Sequence, residues 1–123
     1  MYRKGVACII VNKNNEILLI NFMSFEYQYF SLPGGGIDNG ETKIDALKRE
    51  LFEELGLEDN KYIIIKESAK PVKFKFSLGS RIMDGKKYTG QEKSYFLSVI
   101  IDTSRLTPDA VIGTIKSNFH DSK

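Results

Sequence analysis

Hydrophobic and polar positions follow two periods along this chain. Val6-Ala7-Cys8-Ile9-Ile10-Val11 is an unbroken apolar run, the pattern of a strand covered on both faces, and Asn12-Lys13-Asn14-Asn15 reads as the turn to a partner at Ile17 to Ile20. Tyr29 to Leu32 predicts a short strand, and Tyr62 to Lys66 a further apolar one. Val72-Lys73-Phe74-Lys75-Phe76-Ser77-Leu78 alternates cleanly, which predicts a half-buried strand with a basic outer face. Asp84-Gly85 is a hairpin-turn signal, and Ser94 to Ile101 predicts another buried strand. Between these runs the period changes. Ile44, Leu47, Leu51 and Leu55 fall on one stripe at about 100° per residue. Thr42 with Asp45 makes a capping box and Gly56 supplies a left-handed stop, so a helix is predicted from Lys43 to Leu55. Thr107-Pro108 predicts the start of a last helix, with Val111, Ile112, Ile115 and Phe119 as its apolar stripe. The sum is an α/β chain with helices on a mixed sheet.

The polar face of the first helix changes the picture. Glu50, Glu53 and Glu54 share it, and like charges three and four residues apart repel unless a cation sits among them. Carboxylate oxygens without His or Cys partners suit a hard ion, Mg²⁺ or Mn²⁺. The single His120 and single Cys8 exclude a zinc site. The plainer reading is an acidic solvated face balanced by Lys48 and Arg49. Gly34-Gly35-Gly36, between Pro33 and Ile37-Asp38-Asn39-Gly40, is either a simple turn or a loop whose bare backbone approaches a ligand.

Taken together, Gly35, five residues, Glu41, seven residues and Arg49-Glu50-Leu51-Phe52-Glu53-Glu54-Leu55-Gly56-Leu57 resemble the Nudix box, with every fixed position filled. With average residue usage such a match arises by chance on the order of once in a billion starting positions. The resemblance, to MutT-like Nudix hydrolases, implies an α/β/α sandwich with a mixed sheet. It also implies metal-dependent cleavage of a phosphoanhydride, with Glu50, Glu53, Glu54 and the Gly35 carbonyl as metal ligands and the Arg49–Glu41 pair orienting them. The proton of the attacking water goes to Glu53 or to an acid from another segment, for which Glu92 is the outside candidate; the other reading of Glu92 is a solvated charge beside Lys93. Tyr2-Arg3-Lys4-Gly5-Val6 and Tyr88-Thr89-Gly90-Gln91-Glu92-Lys93-Ser94-Tyr95-Phe96-Leu97 are similar to the branch of bacterial RNA 5′-pyrophosphohydrolases and dinucleoside polyphosphate hydrolases. That branch usually has a second Gln before the Lys and a Trp after it, where this chain has Glu92 and, shifted by one, Ser94 and Tyr95. Arg3, Gln91, Lys93 and Lys43 are the substrate-binding candidates.

Composition fits one domain over residues 1–123 with a short last helix: the chain is 41% hydrophobic and 28% charged. It has no membrane-length apolar stretch and no signal-peptide pattern, so a cytoplasmic protein is expected. One cysteine excludes an intrachain disulfide, and Cys8 reads as a small core hydrophobe. A net charge of +2 does not by itself imply nucleic acid. Lys70, Lys73, Lys75, Arg81, Lys86, Lys87 and Lys93 nevertheless make the later third basic, either for an extended anionic substrate or as a solubilising face. Phe22, Phe25, Tyr27, Tyr29 and Phe30 are divided in the same way between stacking a base and packing a core. The expected function is hydrolysis of a nucleoside diphosphate linked to another group, leaning to dinucleoside polyphosphates or 5′-triphosphorylated RNA. The rivals are nucleoside triphosphates or ADP-ribose as substrate, and a regulatory domain that binds a nucleotide without cleaving it. No oligomeric state follows from the sequence.

Overall fold

The first apolar run becomes the spine of a mixed sheet. The computed structural model describes residues 1–23, 28–83, 85–102 and 110–114, with no side chains described for 21–29 or 110–114. Its strands are β1 (Tyr2–Val11), β2 (Glu16–Met23), β3 (Gln28–Ser31), β4 (Gly34–Gly36), β5 (Tyr62–Glu67), β6 (Val72–Lys75), β7 (Arg81–Met83), β8 (Lys86–Tyr88), β9 (Gly90–Ile100) and β10 (Ala110–Thr114). The main sheet runs β10-β2-β1-β9-β5, with β3 beside β2, β4 beside β1 and β6 beside β9. β1 and β9 run parallel from Tyr2↔Gly90 to Val11↔Val99, while the other pairings are antiparallel. One edge of β1 is divided between two partners. Ile10 and Val11 pair with β2, and Gly5, Val6 and Ala7 pair with Gly36, Gly35 and Gly34 of β4. That division brings the glycine strand into the sheet directly before the helix.

The helix α1 (Lys43–Leu55) has the predicted bounds because both of its ends are capped. Thr42 Oγ1 accepts the Asp45 amide at 3.1 Å, Asp45 Oδ2 accepts the Thr42 amide at 3.4 Å, and Gly56 stops the helix at φ 68°. Leu47, Leu51 and Leu55 are buried with Ala46, and Ile44 packs beside them. They meet Val6, Cys8 and Ile10 of β1, Leu18 and Ile20 of β2, Phe96 of β9 and Tyr62 of β5. Each large apolar side chain so buried contributes roughly 1.5–3 kcal/mol.

Three expectations are corrected. The last helix is absent from 110–114, where β10 pairs with β2 from Ala110↔Ile20 to Thr114↔Glu16. Val111, Ile112 and Thr114 are β-branched and Gly113 is a poor helix former, so the open edge of β2 wins. Thr107, Pro108, Ile115 and Phe119 lie outside the described residues. β6 is exposed along its whole length, with Val72 48% and Phe74 40% accessible, so its alternation hides neither face. In β9 the burial alternates: Ser94, Phe96 and Ser98 face the core, while Leu97 is exposed. Among the aromatic cluster before the glycines, Phe25 and Tyr27 lie outside the described residues, the side chains of Phe22 and Tyr29 are not described, and Phe30 is exposed. The Asn12 to Asn15 turn, the hairpin closing at Gly85 (φ 75°) and the burial of Cys8 are as expected.

Candidate active site

Arg49 is the centre of the polar arrangement on α1. Its Nε and Nη2 donate to Glu41 Oε2 at 2.7 Å and Oε1 at 2.9 Å, a two-pronged pair that fixes the plane of the guanidinium. Nη2 also donates to the Gly36 carbonyl at 2.9 Å, and Nη1 donates to Glu50 Oε1 at 2.8 Å and more loosely to Glu53 Oε2 at 3.4 Å. The Asp38 amide donates to Glu41 Oε1 at 2.8 Å, and Asp38 Oδ2 stands 3.4 Å from Arg49 Nη2. Hydrogen bonds from Arg49 and then from the Asp38 amide hold the Glu41 carboxyl below its ordinary pKa. Arg49 is held protonated beyond its ordinary range, chiefly by Glu41. The Arg49–Glu41 pair expected from the resemblance is therefore present.

The glycines explain how the carboxylates come so close to the backbone. A Cβ at Gly35 would collide with the Glu50 carboxyl, and one at Gly36 would collide with the Arg3 guanidinium. Glu54 Oε1 accepts the Gly34 amide at 2.8 Å. Burial raises the pKa of Glu50 against the opposing pull of Arg49, and raises that of Glu54 against the Gly34 amide. Glu53 stays in water, its side chain 56% exposed. The expected convergence is partial, because among the described residues no three acidic, His or Cys side chains are gathered into a metal-holding group. The carboxylates repel one another, and Arg49 and the Gly34 amide each hold one aside. The donor chemistry still fits a hard divalent cation: oxygen atoms alone, two of the three carboxylates drawn from water, and a glycine backbone against one of them.

The other candidates divide. Lys93, opposite Gly5 in the sheet, is half-buried; burial and the charge of Arg3 lower its pKa while Glu54 raises it, which puts Arg3, Lys93 and Glu54 in one electrostatic neighbourhood. Gln91 lies between Arg3 of β1 and Phe74 of β6. Lys43 points elsewhere and pairs with Glu67 at 2.9 Å, both exposed. Glu92 lies 3.8 Å from Lys73. The sequence reading missed the Gly34 amide on Glu54 and the Asp38 contact with Arg49. Backbone donors leave no side-chain signature, although Asp38 stands in the loop beside Glu41, where an acid near the clamp had a signal.

A mixed sheet holding a glycine strand against a carboxylate-bearing helix is the α/β arrangement in which the box residues come together. A family model of the NUDIX domain matches residues 1–109, and the chain belongs to this family. An RNA pyrophosphohydrolase of Pelagibacter ubique is 31% identical over 97 residues, 77% of this chain and 60% of that protein. One of Helicobacter pylori is 34% identical over 119 residues, 88% of this chain and 73% of that protein. Others, such as that of Orientia tsutsugamushi, are matched over only 40% of their length. The fold is similar to that of the Caenorhabditis elegans Ap4A hydrolase, with a TM-score of 0.65 at 18% identity over 98% of this chain and 86% of that one.

Proposed function

We propose that the protein hydrolyses a phosphoanhydride bond in a nucleoside diphosphate linked to another group, the substrate class being dinucleoside polyphosphates and 5′-triphosphorylated RNA ends. The observation that carries this reading is the pair of part-buried carboxylates, Glu50 and Glu54, set against Gly34–Gly36 with Arg3 and Lys93 alongside. Relatives named RNA pyrophosphohydrolase and a structural neighbour named Ap4A hydrolase support it. Nudix hydrolases generally use divalent cations; here Mg²⁺ or Mn²⁺ would be held by Glu50, Glu53, Glu54 and the Gly35 carbonyl. A bound cation neutralises the polyphosphate and acidifies the attacking water.

The chain's own residues do the rest. Glu41 fixes Arg49, Arg49 fixes Glu50, and the Gly34 amide fixes Glu54. Water adds to phosphorus, the bridging P–O bond breaks, and the departing phosphate carries the bridging oxygen. Glu53 takes the water's proton, being the most exposed of the three carboxylates and held only by a 3.4 Å contact. Arg3 and Lys93 face the charge beyond the scissile bond. Glu92, 3.8 Å from Lys73, is the outside candidate for the same proton.

The test is a panel of nucleotides and capped or triphosphorylated RNAs with Mg²⁺, read by released phosphate and pyrophosphate. Higher kcat/KM on a dinucleoside tetraphosphate or a triphosphorylated RNA end is expected. A preference of about tenfold or more for ADP-ribose or one nucleoside triphosphate, about 1.4 kcal/mol, overturns the substrate class. Turnover in chelator overturns the metal assignment. Binding without turnover across the panel would instead make the site a nucleotide sensor.

A further inference from the structure

The β7–β8 hairpin forms a two-stranded sheet of its own beside the main one. Arg81 pairs with Tyr88, Ile82 with Lys87 and Met83 with Lys86. Because side chains alternate along a strand and paired residues share a face, Arg81, Met83, Lys86 and Tyr88 lie on one side. Ile82 and Lys87 lie on the other. Lys86 and Tyr88 wall a cavity of about 290 Å³ whose opposite wall is Ile37, Asp38 and Asn39, the segment leading from β4 to α1. Asp38 is the residue 3.4 Å from Arg49, so this hairpin face begins one loop's width from the carboxylates. The Arg81 guanidinium sits over the Phe76 ring, 4.4 Å from its centroid. A two-stranded hairpin is marginal by itself in water, and Ile82 on its far face is 78% exposed.

Residues 81–88 hold three cations, Arg81, Lys86 and Lys87, and one acid, Asp84. A dinucleoside polyphosphate keeps its charge in the bridge and ends in a neutral nucleoside, whereas an RNA adds one phosphodiester per nucleotide. Cations set beyond the carboxylates therefore suit an RNA better than a dinucleoside polyphosphate. Tyr88 and the Arg81 plane offer surfaces on which unpaired bases stack. We propose that the hairpin face of Arg81, Lys86 and Tyr88 holds the nucleotides that follow the first one of an RNA 5′ end. The inference rests on the active-site reading above and narrows it from two substrate classes to RNA.

The experiment compares kcat/KM on 5′-triphosphorylated RNAs of one, two and four nucleotides for the wild type and the double variant R81A/K86A. Both positions are exposed, so the variant should fold. The wild type should gain about tenfold from one nucleotide to four, and the variant should lose most of that gain with its rate on the one-nucleotide substrate unchanged. In chelator, a 5′-monophosphorylated tetranucleotide should bind the variant about tenfold more weakly and with a shallower salt dependence. An equal gain with length in both proteins overturns the inference, as does an equal loss on the one-nucleotide substrate. If RNA is hydrolysed without any length dependence, the active-site reading stands and the hairpin role falls. If no nucleotide is hydrolysed but tetranucleotide binding weakens in the variant, the hairpin role stands and the active-site reading falls.

Discussion

Gly34 and Gly35 are neighbours in β4 and lack side chains for different reasons. A Cβ at Gly34 would strike the Val6 carbonyl and come within 2.7 Å of Ala7 Cα, both backbone of a central strand that cannot yield. At Gly35 the obstacle is the far end of the Glu50 side chain, which can swing away. Gly34→Ala should therefore destabilise the fold by about 2–3 kcal/mol in urea unfolding, and Gly35→Ala should unfold near the wild-type midpoint while losing most activity. Comparable stability losses would reject this division of roles. Among the side chains, Glu53→Gln should abolish turnover with little loss of fold, since it keeps shape and removes one repelling charge. Glu41→Ala should lower the rate less, because it acts through Arg49. Steady-state kinetics on the preferred substrate decides the ranking, and equal losses would undo it.

At the scale of elements, α1 is specified twice, by its caps and by its apolar stripe, and its ends fall where the sequence puts them. Thr42→Ala removes the acceptor of the Asp45 amide and should cost about 1 kcal/mol, read as a lower thermal midpoint. No change in midpoint would mean that packing alone sets the helix start. The last element behaves differently. Its apolar residues suit a helical stripe and a strand equally well, and β2 offers an unpaired edge that the local sequence does not reveal. β6 shows the same limit from the other side: Val72 and Phe74 alternate as a half-buried strand would, yet both stay exposed, even with the Lys93 ammonium 5.9 Å from the centroid of the Phe74 ring. Alternation states which residues share a face, and only packing states whether that face is covered.

For the whole molecule, the buried pair of Cys8 and Tyr62 ties stability to pH. Burial pushes the Cys8 thiol from 9.0 to about 11 despite the Ser98 hydroxyl 3.2 Å away, and pushes the Tyr62 phenol from 10.0 to about 12. Below about pH 8 both groups are essentially neutral in folded and unfolded chains, so neither affects stability. As pH rises from 9 towards 11, the unfolded chain ionises its thiol while the folded one does not, and stability falls by on the order of 3 kcal/mol. Cys8→Ala should flatten the decline of urea-unfolding free energy between pH 9 and 11, leaving the Tyr62 loss above pH 10. An unchanged slope in the variant would reject the assignment. Among the described residues no helix is long and apolar enough to cross a membrane.

The sequence by itself determined whatever is written in local chemistry: the capped helix, the shared face of Glu50, Glu53 and Glu54, the turn residues and the apolar spine of β1. Capping and periodicity act within a few residues, so they can be read without knowing the neighbours. It also determined, through the resemblance, that Arg49 and Glu41 belong together. Only the tertiary structure decided that the glycine strand joins the edge of β1, because that pairing depends on where β2 leaves β1 and turns to β3. The same pairing aims the Gly34 amide at Glu54 and the bare Cα of Gly35 at Glu50, which no spacing along the chain encodes. It decided as well that Lys43 turns to Glu67 while Lys93 shares the electrostatic neighbourhood of Glu54, although both are lysines near the same motif. Which of them stands near Glu54 follows from strand register across the sheet, a long-range choice made by the burial of the core rather than by any residue alone.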